Sequence, residues 1–170
     1  TIARRMNNLF LSADYQLMEE EEVLALCKNK QEVVIKVATE SEGGHGVFFT
    51  AGNQVNSVFG QISSDFIIQE VLQQNEQLAK INPTSINTIR IMSLIINEQV
   101  VIVSSVLRMG INGSRVDNAS SGGIVCGILE DGRLKDFAYD MLGRLYKEHP
   151  YSGRFEKNVV PSFDKCKTLV

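Results

Sequence analysis

The chain has no tryptophan, three cysteines and two histidines in 170 residues. Each shortage removes a class of protein. Cys27, Cys126 and Cys166 are odd in number and far apart, which argues against a disulfide framework and against a zinc site. With His45 and His149 the only histidines, a histidine-based metal cluster is not available. No apolar run approaches the roughly 20 residues that span a bilayer, so no membrane insertion is expected. The opening TIARRMNNLFLSADYQ has no secretory apolar core, and the expected location is cytoplasmic. Neither sign of charge dominates. Lys and Arg number 17 against 20 Asp and Glu, a net charge of −3 that implies no general polyanion affinity. No local basic patch stands out either, so nucleic acid is not an expected partner.

What is present is an ordinary globular composition, 44% hydrophobic and 22% charged, long enough to bury a core in one domain or two intimate lobes. Residues 1–18 admit a short helix around Arg4 to Leu11. A clearer helix runs from Glu19 to Lys30, where acidic residues open it and lysines close it, matching the helix dipole. Its glutamates read as a solvated face, not a metal site. Glu32 to Val37 reads as a buried strand, residues 51–64 as a loop and short helix, and Asp65 to Leu72 as another strand. Gln73 to Lys80 is helix-capable and is ended by Asn82-Pro83. Ile124 to Leu129 and Leu134 to Tyr139 form a hairpin around Asp131-Gly132. After Asp140 the chain reads as polar and loop-like.

Between these lies the most informative stretch, Thr84 to Ile124. Two apolar runs meet at Asn97-Glu98-Gln99 and predict a long antiparallel hairpin over 85–108. Both runs are apolar on both faces, which predicts covered, central strands. Arg90 sits inside the first run and Arg108 ends the second, and a buried guanidinium needs a carboxylate or a bound anion as partner. Arg115, Asp117, Asn118 and Gly122-Gly123 follow directly. A two-residue turn pairing Ile96 with Gln99 would put Arg90 and Arg108 on opposite faces, whereas a three-residue turn or one bulge brings them together. An anion site needs the second case. The alternative is an ordinary ion pair for each arginine at a sheet edge.

A second candidate follows the strand Glu32 to Val37. Glycines at 43, 44 and 46 let backbone N–H groups turn inward as an anion-binding concavity, and Lys36 on the preceding strand can add a point charge. No GK[ST] follows and no helix opens after it, which excludes a Walker loop and a dinucleotide fingerprint. Strand, glycine loop, strand is instead a flap that can fold over phosphates, or a plain hairpin with a mobile tip. His45 is either a phosphate donor or a polar residue at that tip.

In that order, a lysine strand, a glycine flap, a Gln-Glu-Val strand end and an arginine-bearing hairpin resemble the ATP-grasp fold. INPTSINTIRI, VLRMG, SRVDNASSGGI and HPYSG are similar to the sugar-transfer-associated ATP-grasp family. The resemblance implies an α+β fold with two small lobes of antiparallel sheet and flanking helices, and a nucleotide cleft between them. Residues 1–31 would be an N-terminal helical segment, 32–72 the glycine-flap lobe and 73–170 a partial catalytic lobe. It implies an ATP-dependent, ADP-forming ligase that joins a small-molecule carboxylate to an amine or thiol through an acyl phosphate, in polysaccharide or cell-surface sugar biosynthesis. By position, Lys36 would touch the α- or β-phosphate, and the flap with Ser41, Gly43, Gly44, His45 and Gly46 would close over the triphosphate. Gln69, Glu70 and Val71 resemble the adenine hinge, and Glu76 would meet the ribose. Arg90, Arg108 and Arg115 would neutralise the transferred phosphoryl. Asn118 with Gly122-Gly123 resembles the Arg-x-Asn-x-x-Gly-Gly stretch of glutathione synthetase, with one extra residue between Arg115 and Asn118.

The chain departs from the family at magnesium. Glu156 and Asn158 have the Glu-x-Asn spacing but follow HPYSG in a loop-rich segment, upstream of where the family's ligands fall. The expectation is therefore that no metal ligand lies in these residues, that ligands for Mg2+ come beyond Val170, and that the chain alone is inactive. The alternative is a non-catalytic nucleotide-binding or assembly module that has lost the metal site. A fold-only α+β interaction domain with structural arginines is a third reading, and a homodimer is compatible with all three.

Overall fold

The structure is a computed structural model and describes residues 1–39 and 41–170, the side chain of Glu42 excepted. It is an α+β chain that divides into two compact units, Thr1–Leu72 and Gln73–Val170. No described helix is long and apolar enough to cross a membrane.

The first unit is a six-stranded antiparallel sheet with helices on one face. Its elements are β1 (Ala3–Met6), β2 (Leu9–Ser12), β3 (Leu17–Met18), α1 (Glu20–Lys28), β4 (Val33–Val37), β5 (Val47–Thr50), α2 (Val55–Phe59) and β6 (Phe66–Glu70). The sheet order is β3-β2-β1-β6-β4-β5. The expected short helix around Arg4 to Leu11 is not formed. Asn7 and Asn8 take φ of 50° and 64° and turn the chain between β1 and β2. Asparagine tolerates the left-handed region, and two in a row make the mirror-image turn that suits a hairpin. The helix from Glu19 onward does form. Glu19 and Glu22 make a capping box, three glutamates occupy the first turn and Lys28 the last, and Val23 and Cys27 are buried. These two pack with Val33, Ile35, Val55, Phe59, Phe66 and Ile68 in one core.

The second unit opens with α3 (Glu76–Ile81), capped by Asn75. Then come β7 (Thr88–Ile96), β8 (Gln99–Met109), β9 (Ile124–Ile128), β10 (Leu134–Tyr139) and β11 (Leu145–Tyr146). They form an antiparallel sheet in the order β11-β10-β9-β8-β7. A two-stranded piece, β12 (Glu148–His149) with β13 (Gly153–Arg154), and α4 (Phe163–Lys167) complete it. The segment after Asp140 is thus more ordered than its polarity predicts. Phe155, Val160 and Phe163 are spaced through it, and they are buried with Leu107, Met109, Ile124, Cys126 and Leu134.

The long hairpin is present, but its expected central position is not. β7 is the edge strand of its sheet. Met92, Leu94, Ile95, Ile96, Val100, Val101 and Val103 are exposed, Ile95 at 79%. Alternation shows that both faces are apolar, and it does not show that anything covers them. Of β7, Ile89 and Ile91 at its base pack against the core, where Leu107 and Met109 of β8 belong.

Candidate functional site

Whether the two hairpin arginines share a face is decided by register. The turn is of the two-residue kind, with Asn97 and Glu98 at φ 49° and 64° and Ile96 paired with Gln99. Alone, that turn would separate them. One bulge reverses the outcome. Ser93 pairs with Ile102 and Met92 with Ser104, so Val103 is the extra residue. Below the bulge Arg90 pairs with Val106 and Thr88 with Arg108. Residues directly opposite, and those two apart on a strand, share a face. Arg90 and Arg108 therefore project from one side of the ribbon, opposite to the core side taken by Ile89, Ile91, Leu107 and Met109.

The two arginines differ in setting. Arg90 is exposed on the edge strand, so its expected burial is overturned: no desolvation demands a partner there. The Arg108 side chain is 16% exposed and donates from Nη2 to Asp117 Oδ1 at 3.2 Å, Asp117 being 14% exposed. The Thr88 hydroxyl donates to the other oxygen of the same carboxylate. A sheltered guanidinium with a carboxylate partner holds one geometry, and its remaining N–H groups are aimed accordingly. Asp117 and Thr88 escaped the sequence reading as site residues. Their signal was local: an acidic residue nine positions beyond an arginine that ends a strand.

Lys135 was also missed. A side chain at Gly127 would run into Lys135, whose Cδ lies 2.7 Å from the place of the absent Cβ. Gly127 pairs with Val106, so the lysine stem lies on the same sheet face as Arg90 and Arg108. The glycine inside strand β9 was the readable clue, since such a residue marks close approach.

Arg115 lies exposed in the loop between β8 and β9, and Asn118 caps a short 3₁₀ turn, Ala119–Ser121, within it. The Asn118 carbonyl oxygen Oδ1 accepts from the Ser120 N–H at 3.2 Å and from its hydroxyl at 3.1 Å, which shapes the turn entering Gly122-Gly123. Gly122 has φ 89°, and Gly123 packs so closely on Asp117 that a Cβ would sit 2.4 Å from its carbonyl oxygen. Glu76 is exposed in the first turn of α3.

In the first unit, Lys36 on β4 pairs with Ile67 on β6 and Val47 on β5. Gln69 pairs with Val34, so Lys36 and Gln69 share the sheet face away from the helices. Glu70 points to the helix side, where Lys30, two residues past α1, pairs with it. That hydrogen bond holds the Glu70 carboxyl below its ordinary range. Val71 follows the strand. The loop from β4 to β5 contains a short 3₁₀ turn over Glu42–Gly44, with φ of 66° at Gly43, 90° at Gly44 and 68° at Gly46. Its base is closed by the Val37 N–H donating to Gly46 O at 2.9 Å. Ser41 lies part-buried in this loop, and His45 is exposed at its tip. The Glu42 side chain of the expected flap lies outside the described residues.

Among the described residues, no three His, Cys, Asp or Glu side chains come together to hold a metal ion. Glu156 belongs to a 3₁₀ turn and pairs with Arg154 at 3.6 Å, and the Asn158 amide donates to Arg154 O and Phe155 O. That pair is not a strand-borne Glu-x-Asn, and Glu156 and Asn158 are engaged with Arg154 and Phe155 instead.

The family model for sugar-transfer associated ATP-grasp proteins matches residues 55–170. The chain belongs to this family. No curated protein and no solved structure matches it. An ATP-grasp role is thereby shown in general terms, and the α+β fold agrees with it. The matched stretch contains all three arginines, Asn118, the strand end Gln69 to Val71 and Glu76. Lys36 and the glycine loop precede it.

Proposed function

We propose that this ATP-grasp chain is the ATP-binding part of a carboxylate–amine or carboxylate–thiol ligase working through an acyl phosphate, in polysaccharide or cell-surface sugar assembly. The observation that carries the reading is the placement of Arg90 and Arg108 on one face of β7–β8, within the matched stretch. In such a reaction a carboxylate oxygen attacks the γ-phosphorus and the bond to the β-phosphate oxygen breaks, releasing ADP. An amine or thiol then attacks the acyl carbon, and phosphate leaves. Phosphoryl transfer of this kind is accelerated chiefly by positioning and by fixed positive charge. Arg90, Arg108 and Arg115 supply that charge in our reading, and Asn118 orients the transferred group. Lys36 takes the α- or β-phosphate, and the loop Ser41 to Val47 covers the triphosphate. Backbone groups of Gln69, Glu70 and Val71 take the adenine edge, and Glu76 the ribose. We assign 32–72 as the flap lobe and 73–170 as part of the catalytic lobe.

Nucleotide binding is tested by thermal denaturation with and without ATP. A ligand at one hundred times its Kd adds about 2.7 kcal/mol to stability. A clear rise in Tm is expected, and Lys36→Ala or Arg90→Ala should remove most of it. An unmoved melting curve at millimolar ATP would overturn the reading. A second reading, a non-catalytic nucleotide-binding or assembly module, is supported by Glu156 lying in a 3₁₀ turn and pairing with Arg154 at 3.6 Å. It requires ATP binding indifferent to magnesium, and no carboxylate-dependent ADP release by the full-length protein.

A further inference from the structure

Among the described residues, four polar ones are buried as whole residues: Asn82, Ser85, Asn87 and His149. They are not scattered. Asn82 Nδ2 donates to Ser85 Oγ at 2.8 Å and to Asn87 Oδ1 at 3.3 Å. The Asn87 amide donates to Leu78 O and Asn82 O, both at 2.9 Å. Ser85 Oγ also accepts from the Gly110 N–H at 3.1 Å, and His149 Nε2 lies 3.0 Å from Gly110 O. The Tyr151 N–H reaches His149 Nδ1 at 3.1 Å. An amide N–H only donates and a carbonyl only accepts, so this ring is neutral, with its proton on Nε2. All four residues thus form one hydrogen-bonded chain through the backbone N–H and C=O of a single residue, Gly110.

Gly110 is where β8 ends and the loop to Asp117 begins. A Cβ there would lie 2.8 Å from Val116 O, 2.9 Å from Ser85 Oγ and 3.1 Å from Ser114 O, so the loop folds directly over this residue. The same loop is tied at Ser114, whose carbonyl accepts from Thr84 Oγ1 at 3.0 Å. It runs on to Asp117, which holds Arg108. A buried polar chain is costly unless every member is satisfied, and when satisfied it specifies one arrangement. This one specifies where a loop carrying Arg115, Asp117 and Asn118 leaves the sheet.

We propose that Ser85 and His149 are positioning residues. By holding the N–H and the C=O of Gly110, they set the course of the 110–117 loop and so the carboxylate that aims the Arg108 guanidinium. Neither touches phosphate. The positioning role stands on its own geometry, while its use for phosphate rests on the ligase reading above.

The test uses the ¹⁵N-labelled 170-residue chain and reads the Gly110 amide and Arg108 Nε–H resonances, assigned with Arg108→Lys. In wild type the His149 ring nitrogens should report the Nε2–H tautomer, and the Gly110 N–H should exchange slowly. The opposite tautomer, or fast exchange of that amide, overturns the proposal even where variants fail to fold. Ser85→Ala and His149→Phe should fold yet move or broaden both resonances. His149→Gln, which restores a donor toward Gly110 O, should recover them. Both resonances unchanged in the folded variants would sink the idea. In an ATP titration, Ser85→Ala and His149→Phe should weaken binding about threefold to tenfold, the span of one lost hydrogen bond, and His149→Gln should recover it. A wild type that ignores ATP overturns the ligase reading alone, because the spectroscopic arm needs no nucleotide.

Discussion

Arg108 and Asp117 show how one pair can be both structural and available for chemistry. Each side chain is mostly buried, and removing one leaves the other desolvated without a counter-charge. Asp117→Ala is expected to lower unfolding stability by about 2 kcal/mol in denaturant titration, below the 3–5 kcal/mol of fully buried pairs. A loss under about 0.5 kcal/mol would show that the guanidinium finds water instead. His149 makes a second prediction. Burial lowers its pKa from the usual 6.5, and the bond to Gly110 O opposes this only in part. The unfolded chain then binds more protons than the folded one below pH 6.5, so stability falls as pH falls. The contribution is complete above 6.5 and declines through the folded-state value beneath it. His149→Gln should flatten that part of the stability–pH curve; a parallel curve would assign the acid sensitivity elsewhere.

At the scale of the element, β7–β8 is the part whose sequence reading was most instructive. Its existence, its length and the candidate arginines were legible in alternation and turn chemistry, whereas its burial was not. An apolar strand has the same period whether a neighbour covers it or not, and strand order is a long-range property. The bulge at Val103 was open as one of two ways to bring the arginines together, because nothing local marks which register wins. The turn itself invites a test. Glu98 has φ 64°, a conformation that glycine adopts without strain and glutamate does not. Glu98→Gly makes Asn-Gly, the favoured pair for this turn, and should raise stability by about 0.5–1 kcal/mol. A loss in the same denaturant measurement would mean that unfolded-state entropy outweighs the relieved strain. The N-terminal hairpin teaches the converse. Asn7-Asn8 was a turn signal within reach, and the helix expected there ignored it.

For the whole molecule, each unit carries a core and a buried thiol of its own. Cys27 is packed in the first and Cys126 in the second, with Cys166 partly exposed. Burial pushes Cys126 up to about 12, and Cys27 is raised by the same cause. The thiolate is the reactive form, so native labelling at pH 7.5 should modify Cys166 first and the other two only through unfolding. Mass spectrometry of the labelled chain checks this. Early modification of Cys126 would contradict its packing between Leu107 and Ala138 in the core.

The residue order by itself determined the class of fold, most of the helices and strands, the glycine loop after Lys36 and the arginines worth attention. These follow from local causes: periodicity, capping, turn residues and the motif order that resembles the ATP-grasp family. Tertiary structure alone decided that β7 is an edge strand, that a bulge unites Arg90 with Arg108, that Asp117 is the carboxylate at Arg108, and that Ser85 and His149 meet across Gly110. Each depends on residues far apart in the chain being brought within hydrogen-bond distance, and a one-residue change of register would undo it without altering any local preference.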